Sequence, residues 1–230
     1  MTAKASAVYI VLPVYNEARV IERVVRDIRA AGWPRVVVVD DGSRDGTFLT
    51  AAAVKGTVVL RHRLNRGKGA ATKTGIEAAK RLGAEIIVTM DGDGQHDPAD
   101  IRRLVRPILA GGCDVVLGCR PMNRKRMPFV KILANYLGNL VTLAFCGMWV
   151  NDSQSGLRAY SRHAAELIDT RGPRYEYDSE VVREIRTHDL PYCEIPIRVH
   201  YTVYAAAKPM KQGFVNGIRT VYRMIVNRLT

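Results

Sequence analysis

An α/β fold, built as a mainly parallel twisted sheet with helices on both faces, is what the sequence predicts, and three observations predict it. Short aliphatic runs such as Tyr9-Ile-Val-Leu-Pro13 and Val36-Val-Val-Val39 recur along the chain at the length of buried strands. Stretches between them place their apolar residues on one helical face. The strands run out into polar loops rich in carboxylates and glycine, and open parallel sheets bind ligands at such strand ends.

The elements follow in order. After the strand ending at Pro13, Glu17 to Ala31 reads as a helix with Val20, Ile21, Val24, Val25 and Ile28 on one side. The Val36–Val39 run completes a βαβ unit. A helix is expected after Asp45, a strand over Val58 to Arg61, a helix over Lys68 to Leu82, a strand over Ile86 to Met90, a helix after Pro98 and a strand over Val115 to Leu117. Beyond Arg120 the alternation breaks. No repeat, low-complexity linker or compositional shift divides the chain, so its 230 residues are read as one domain, with 213–230 an appended basic helix.

Charge narrows the partner. A formal charge of +13 and a pI near 9.9 call for an anionic ligand or surface: nucleic acid, a phosphorylated substrate or anionic lipid. Nucleic acid is disfavoured, because no helix-turn-helix, RRM or KH signature occurs, aromatics are sparse, and carboxylates crowd the strand ends where a phosphate backbone needs cations. The four cysteines show neither a C-x-x-C pair nor zinc-like spacing to histidine, so no metal knuckle and no disulfide framework is indicated and a reduced cytosolic setting is expected. The short polar start, Met1 to Ser6, leaves no room for a signal peptide.

The loops carry the chemistry. Pro13-Val-Tyr-Asn-Glu17 has no glycine, which excludes the G-x-G-x-x-G turn of dinucleotide-binding dehydrogenases. Asp40 and Asp41 close a strand and can accept hydrogen bonds from ribose hydroxyls or a base N–H, whereas Asp45 and Thr47 read as a turn and helix N-cap. Asn65-Arg-Gly-Lys68-Gly69 offers cations at a helix start, an anion site that is not a Walker loop. In Asp91-Gly-Asp93-Gly-Gln95-His-Asp97, oxygen ligands alternate along the loop. An EF-hand is excluded, because His96 stands where its glycine belongs and Arg102 where its glutamate belongs. An open Mg²⁺ or Mn²⁺ site with few protein ligands, completed by water and a ligand's diphosphate, is the remaining reading. His96 is expected to be solvated and without a role.

Together, Pro13-Val-Tyr-Asn-Glu17, Val39-Asp-Asp-Gly-Ser-Arg-Asp-Gly-Thr47, Asn65-Arg-Gly-Lys-Gly69, Asp91-Gly-Asp93 with Gln95, Gly118-Cys-Arg120 and Asp152-Ser-Gln-Ser-Gly-Leu-Arg158 resemble family 2 glycosyltransferases of the GT-A fold. The chain looks most like their polyprenyl-phosphate glycosyltransferases, the group that includes dolichol-phosphate mannose synthase, over residues 8 to 212. The resemblance implies a Rossmann-like nucleotide-binding half and inverting sugar transfer from a UDP- or GDP-linked donor to a polyprenyl (undecaprenyl or dolichyl) phosphate. It assigns Pro13, Tyr15 and Glu17 to the nucleotide pocket, Asp40 and Asp41 to base or ribose, and Asp91, Asp93 and Gln95 to the cation and donor diphosphate. Arg120 matches an arginine facing the acceptor phosphate. Lys131 and Asn135 stand where the family often has Arg and Ser, and Lys208 alone remains of an Arg and Ser-Lys set, which puts mannose in doubt. Asp93, Arg120 and Lys131 form the expected catalytic set, with Lys68, Asp152, Arg158 and Lys208 as further substrate contacts.

The acceptor sets what the site needs. A phosphate with a second pKa near 6 is largely dianionic at neutral pH and attacks without a general base, so cations must position it. Arg120, Arg124, Lys125, Arg126 and Lys131 can do so. A saccharide hydroxyl, the alternative acceptor, would need a carboxylate, for which Asp152 and Glu180 are the candidates. Ile132 to Val150 is apolar but interrupted by Asn135, Gly138, Asn139 and Gly147, so an interfacial or packed helix is expected before a membrane span. Gln212 to Leu229 has Phe214, Ile218, Val221, Tyr222, Ile225 and Leu229 on one stripe with Arg219, Arg223 and Arg228 elsewhere, a pattern suited to anionic lipid or to packing on protein. A peripheral protein on the cytoplasmic membrane face is expected, and a homo-oligomer is left open.

Overall fold

In the computed structural model of the chain, residues 7–120, 143, 147–170, 172 and 176–200 are described. Their strands are β1 (Val8–Val14), β2 (Val36–Asp40), β3 (Thr57–Arg61), β4 (Ile86–Thr89), β5 (Val115–Cys119), β6 (Arg158–Ser161) and β7 (Tyr192–Pro196). Helices α1 (Ile21–Ala30), α2 (Thr47–Ala52), α3 (Lys68–Arg81), α4 (Asp100–Leu109), α5 (Arg162–Leu167) and α6 (Glu176–Thr187) connect or follow them. The strands form one sheet in the order β3-β2-β1-β4-β6-β5-β7, parallel except for β6, which runs antiparallel to both neighbours. The mainly parallel α/β architecture expected from the alternation is therefore present.

Burial on both faces explains why β1, β2 and β4 read as unbroken apolar runs rather than alternating ones. Ile10, Leu12, Val36, Val38 and Val88 point to one face, where Ile21, Val24, Val25 and Ile28 of α1 and Ile101, Leu104 and Val105 of α4 cover them. Val11, Val37, Val39 and Ile87 point to the other face, under Ala71 and Ala79 of α3, Ala164 and Ala165 of α5, and Val181, Val182 and Ile185 of α6. Gly75 lets α3 lie close, since a Cβ there would sit 2.3 Å from Val11 Cγ1.

Two expectations are corrected. The first helix starts at Ile21, not Glu17, because Asn16 takes φ 56° and the Glu17 carbonyl accepts from both Val20 and Ile21, forming a turn before the helix. Spacing indicated no disulfide, yet Cys113 and Cys193 are joined across β5 and β7, their Cα atoms 6.4 Å apart and the residues 80 apart in sequence. Parallel pairing of two distant strands makes that contact, which local cysteine spacing cannot reveal. Among the described residues no helix is long and apolar enough to cross a membrane.

Candidate active site

The carboxyl ends of β1, β2 and β4 lie side by side, so three loops meet there. The first two are laced together: Asn16 N donates to Ser43 Oγ at 2.8 Å, Glu17 N to Thr47 Oγ1 at 2.8 Å, Ala18 N to Asp45 Oδ2 at 3.2 Å, and Arg44 N to Asn16 Oδ1 at 2.9 Å. Asp45, expected as a turn and N-cap, also serves as one: its Oδ1 accepts from Thr47 N, the first residue of α2, at 3.0 Å, while its Oδ2 and Thr47 Oγ1 hold the first loop in place. Glu17 is buried in this junction.

Asp40 and Asp41 divide their work. Asp40 is fully buried; its Oδ1 accepts from Ser43 N at 3.0 Å, while Arg61 Nε lies 3.2 Å from Oδ2 without aligning to donate. Asp41 accepts from Arg66 N at 2.9 Å and Gly67 N at 2.7 Å, and its Oδ1 pairs with His62 Nδ1 at 2.7 Å, whose Nε2 meets Thr74 Oγ1 at 3.0 Å. Asp41 therefore fastens residues 62–67 and so sets where Lys68 begins α3. Gly42, at φ +71°, permits the two loops to touch, since a Cβ would come within 2.8 Å of Asn65 N. Between them opens a cleft of about 470 Å³ lined by Tyr15, Ser43, Arg61, His62 and Asn65.

At the end of β4, Lys68 Nζ lies 2.8 Å from Asp91 Oδ1 and His96 Nε2 lies 3.7 Å from Asp91 Oδ2. Burial raises the Asp91 carboxyl, but the charges of Lys68 and His96 and their hydrogen bonds outweigh it and hold the group far below the usual carboxylate range, although about a third of its side chain (31 %) still meets solvent. Lys68 shifts the opposite way: burial opposes its charge, and Asp91 and then Asp178 override that and raise it. Asp93 Oδ1 accepts from Gln95 N at 3.0 Å, and the Gln95 carbonyl accepts from His200 N at 2.8 Å. His96, expected in solvent, is buried and its Nδ1 has no hydrogen-bond partner among the described residues. The expectation fails because residues 95–96 are covered by the chain after β7, with which His96 pairs at Val199.

Across the sheet, Arg120 Nε and Nη2 grip Asp152 Oδ2 and Oδ1 at 2.7 and 2.8 Å, a two-point contact reinforced by Arg120 N to Oδ2 at 3.1 Å. Arg158 is buried on β6; it donates to the Ser153 carbonyl at 2.6 Å and lies 3.2 Å from Asp178 Oδ1. Burial lifts the Asp178 carboxyl despite the opposing charges of Lys68 and Arg158. Glu180 is buried and its Oε2 accepts from Gly172 N at 2.7 Å. Lys131, Asn135, Lys208, Arg124, Lys125, Arg126 and the 213–230 helix lie outside the described residues.

The structure thus brings Tyr15, Asp40, Asp41, Lys68, Asp91, Asp93 and Gln95 to one rim, with Arg120 just after β5, Asp152 in the loop before β6 and Arg158 on β6. Among the described residues no cluster of three or more His, Cys, Asp or Glu could cage a metal. Asp91 and Asp93, hard carboxylates two residues apart in one loop, fit instead a divalent ion that takes its remaining ligands from a diphosphate and water. Sequence reasoning missed His62 and Asp178. The signal for Asp178 was available: with Val181, Val182 and Ile185 it occupies i, i+3, i+4 and i+7 of one helix, a carboxylate on an apolar stripe.

The chain matches the family model "Glycosyl transferase family 2" over residues 9–167, and it belongs to that family. It is 32 % identical over 243 residues to the UDP-N-acetylglucosamine–dolichyl-phosphate N-acetylglucosaminyltransferase of Methanococcus voltae, covering 96 % of each chain. It is 31 % identical over 169 residues to the polyprenol monophosphomannose synthase of Mycolicibacterium smegmatis, covering 70 % of this chain and 63 % of that one. Glucosyl-3-phosphoglycerate synthase of Mycobacterium tuberculosis, crystallised with UDP, superposes with a TM-score of 0.69 at 24 % identity over 96 % of this chain and 82 % of that one. That likeness establishes the fold, GT-A, and the family makes the protein a glycosyltransferase.

Proposed function

We propose that the protein transfers a sugar, with inversion, from a UDP- or GDP-linked donor to the phosphate of a polyprenyl phosphate, as a peripheral protein on the cytoplasmic face of the membrane. The names of the two relatives, one built on dolichyl phosphate and one on polyprenol monophosphomannose, support this acceptor class. The observation that carries the reading is the commitment of both carboxylates considered as the base a hydroxyl acceptor would need. Asp152 is occupied on both oxygens by Arg120, and Glu180 is buried against the Gly172 amide. An acceptor that brings its own negative oxygen needs neither.

The nucleoside end of the donor would take the cleft beside Tyr15, with Asp40 buried behind its lining residues Ser43 and Arg61, and Pro13 and Glu17 in the loop that shapes it. Asp91, Asp93 and Gln95 would hold Mg²⁺ or Mn²⁺ against the diphosphate. Bound there, the ion supplies Lewis-acid stabilisation of the departing diphosphate. Arg120, aimed by Asp152, presents a guanidinium to the acceptor phosphate, and Lys131, Asn135 and Lys208 are assigned to the same task. An acceptor oxygen attacks the anomeric carbon from the face opposite the leaving group, the bond to the diphosphate breaks, and its electrons stay on the nucleoside diphosphate. Lys68, 2.8 Å from Asp91 in the metal-free protein, balances the charge of that carboxylate.

The test is incubation with a panel of nucleotide sugars, Mg²⁺ or Mn²⁺ and a polyprenyl phosphate. Lipid-linked sugar should form with one donor and vanish in excess chelator or in Asp93→Ala. Full activity under either condition removes the metal from the mechanism.

A further inference from the structure

The sequence places positive and negative groups alternately behind the β4 end: Lys68 on α3, Asp91 after β4, Arg158 on β6 and Asp178 on α6. Lys68 holds Asp91 at 2.8 Å and Arg158 meets Asp178 at 3.2 Å. Helix α6, which carries Asp178, packs on α3, which Lys68 opens, so the charge of Asp178 also reaches Lys68. The Asp91 carboxylate packs on the backbone of β6's lead-in, where a Cβ on Gly156 would come within 2.5 Å of Oδ2 and 2.6 Å of Oδ1. One of the two carboxylates proposed to receive the divalent ion is thus already neutralised by an ammonium.

We propose that Lys68 is a resident counter-ion of Asp91 that an incoming divalent ion displaces, and that Asp178 is the positioning residue that takes up the displaced ammonium. The inference rests on the reading of Asp91 and Asp93 as the metal site. The physical reason is electrostatic. With no cation present, Asp91 would carry an uncompensated charge two residues from Asp93, and a lysine on a flexible stem balances it and yields its place readily. Asp178, nearly wholly buried and 3.2 Å from Arg158 through Oδ1, is a second carboxylate toward which Lys68 can turn, so Lys68 exchanges one carboxylate for another without losing compensation.

The experiment is Mn²⁺ titration of the nucleotide-free protein, followed by the loss of the free-Mn²⁺ electron paramagnetic resonance signal, for wild type, Lys68→Met, Asp178→Asn and the double variant. Lys68→Met removes the competitor and should bind Mn²⁺ roughly tenfold more tightly, the scale of a partly buried ion pair. Asp178→Asn should weaken binding several-fold in wild type and have no effect in the Lys68→Met background, because Asp178 acts only through Lys68. Unchanged or weaker Mn²⁺ binding in Lys68→Met overturns the proposal. Additive effects in the double variant overturn the part given to Asp178. Should Asp178→Asn not fold, a crystal structure of the wild-type Mn²⁺ complex decides: Lys68 Nζ moved from Asp91 toward Asp178 supports the exchange, and Lys68 unmoved rejects it. If wild type binds no Mn²⁺, or binds it equally in Asp93→Ala, the metal site itself fails, which is a different result from a failure of the exchange.

Discussion

Arg120 owes its aim to Asp152. A guanidinium held at two points by a carboxylate has little rotamer freedom left to lose, so it can receive a phosphate at low entropic cost. Arg120→Ala should therefore impair use of the lipid phosphate far more than donor binding. A charge-assisted hydrogen bond of this kind contributes about 1.5 to 3 kcal/mol, which corresponds to roughly a ten- to hundredfold fall in kcat/KM for the acceptor. Steady-state kinetics with the acceptor varied, beside calorimetric titration of the nucleotide, separates the two. Equal losses in both would move Arg120 to the donor side. Asp41 shows the opposite case, a residue assigned by resemblance to base or ribose whose two oxygens hold His62 and the amides of Arg66 and Gly67.

At the scale of elements, the sheet was legible because it is buried on both faces. Val36 to Val39 and Ile86 to Thr89 can only be interior strands when helices cover them from each side, and both are. The loops were legible as chemistry but not as geometry. Which oxygen of Asp41 faces His62, or that His96 is covered by the chain after β7, depends on contacts between residues 21 and 103 positions apart in sequence. The reversal at β6 was also hidden, since Arg158-Ala-Tyr-Ser161 is short and carries an arginine that is buried by Asp178 and the Ser153 carbonyl. That strand's lead-in supplies a test. Ala at position 156 would push a methyl against the Asp91 carboxylate, and displacement of a metal-diphosphate ligand by about 1 Å costs on the order of a hundredfold in rate. Gly156→Ala should show that loss in transfer with far-UV circular dichroism unchanged. Wild-type activity would mean that Asp91 has no fixed place in catalysis.

At the scale of the whole molecule, the charge of +13 and the carboxylate rim are complementary rather than contradictory. Under the proposed function, the net positive charge would draw the protein to anionic lipid and to a phosphate acceptor, while the acidic strand ends would be kept for a metal-bound diphosphate. This division implies that the acceptor's own charge is part of the catalytic machinery. The measurement that tests it most directly compares initial rates for a polyprenyl phosphate and for the polyprenol of the same chain length, with the preferred nucleotide sugar and saturating Mg²⁺ or Mn²⁺. The phosphate should be glycosylated with inversion, and the alcohol, neutral at pH 7 and with both candidate bases committed, should react more than a hundredfold slower, by the rough scale of a missing general base. Comparable rates for the alcohol, or for a saccharide, would contradict the account and make a hydroxyl the acceptor.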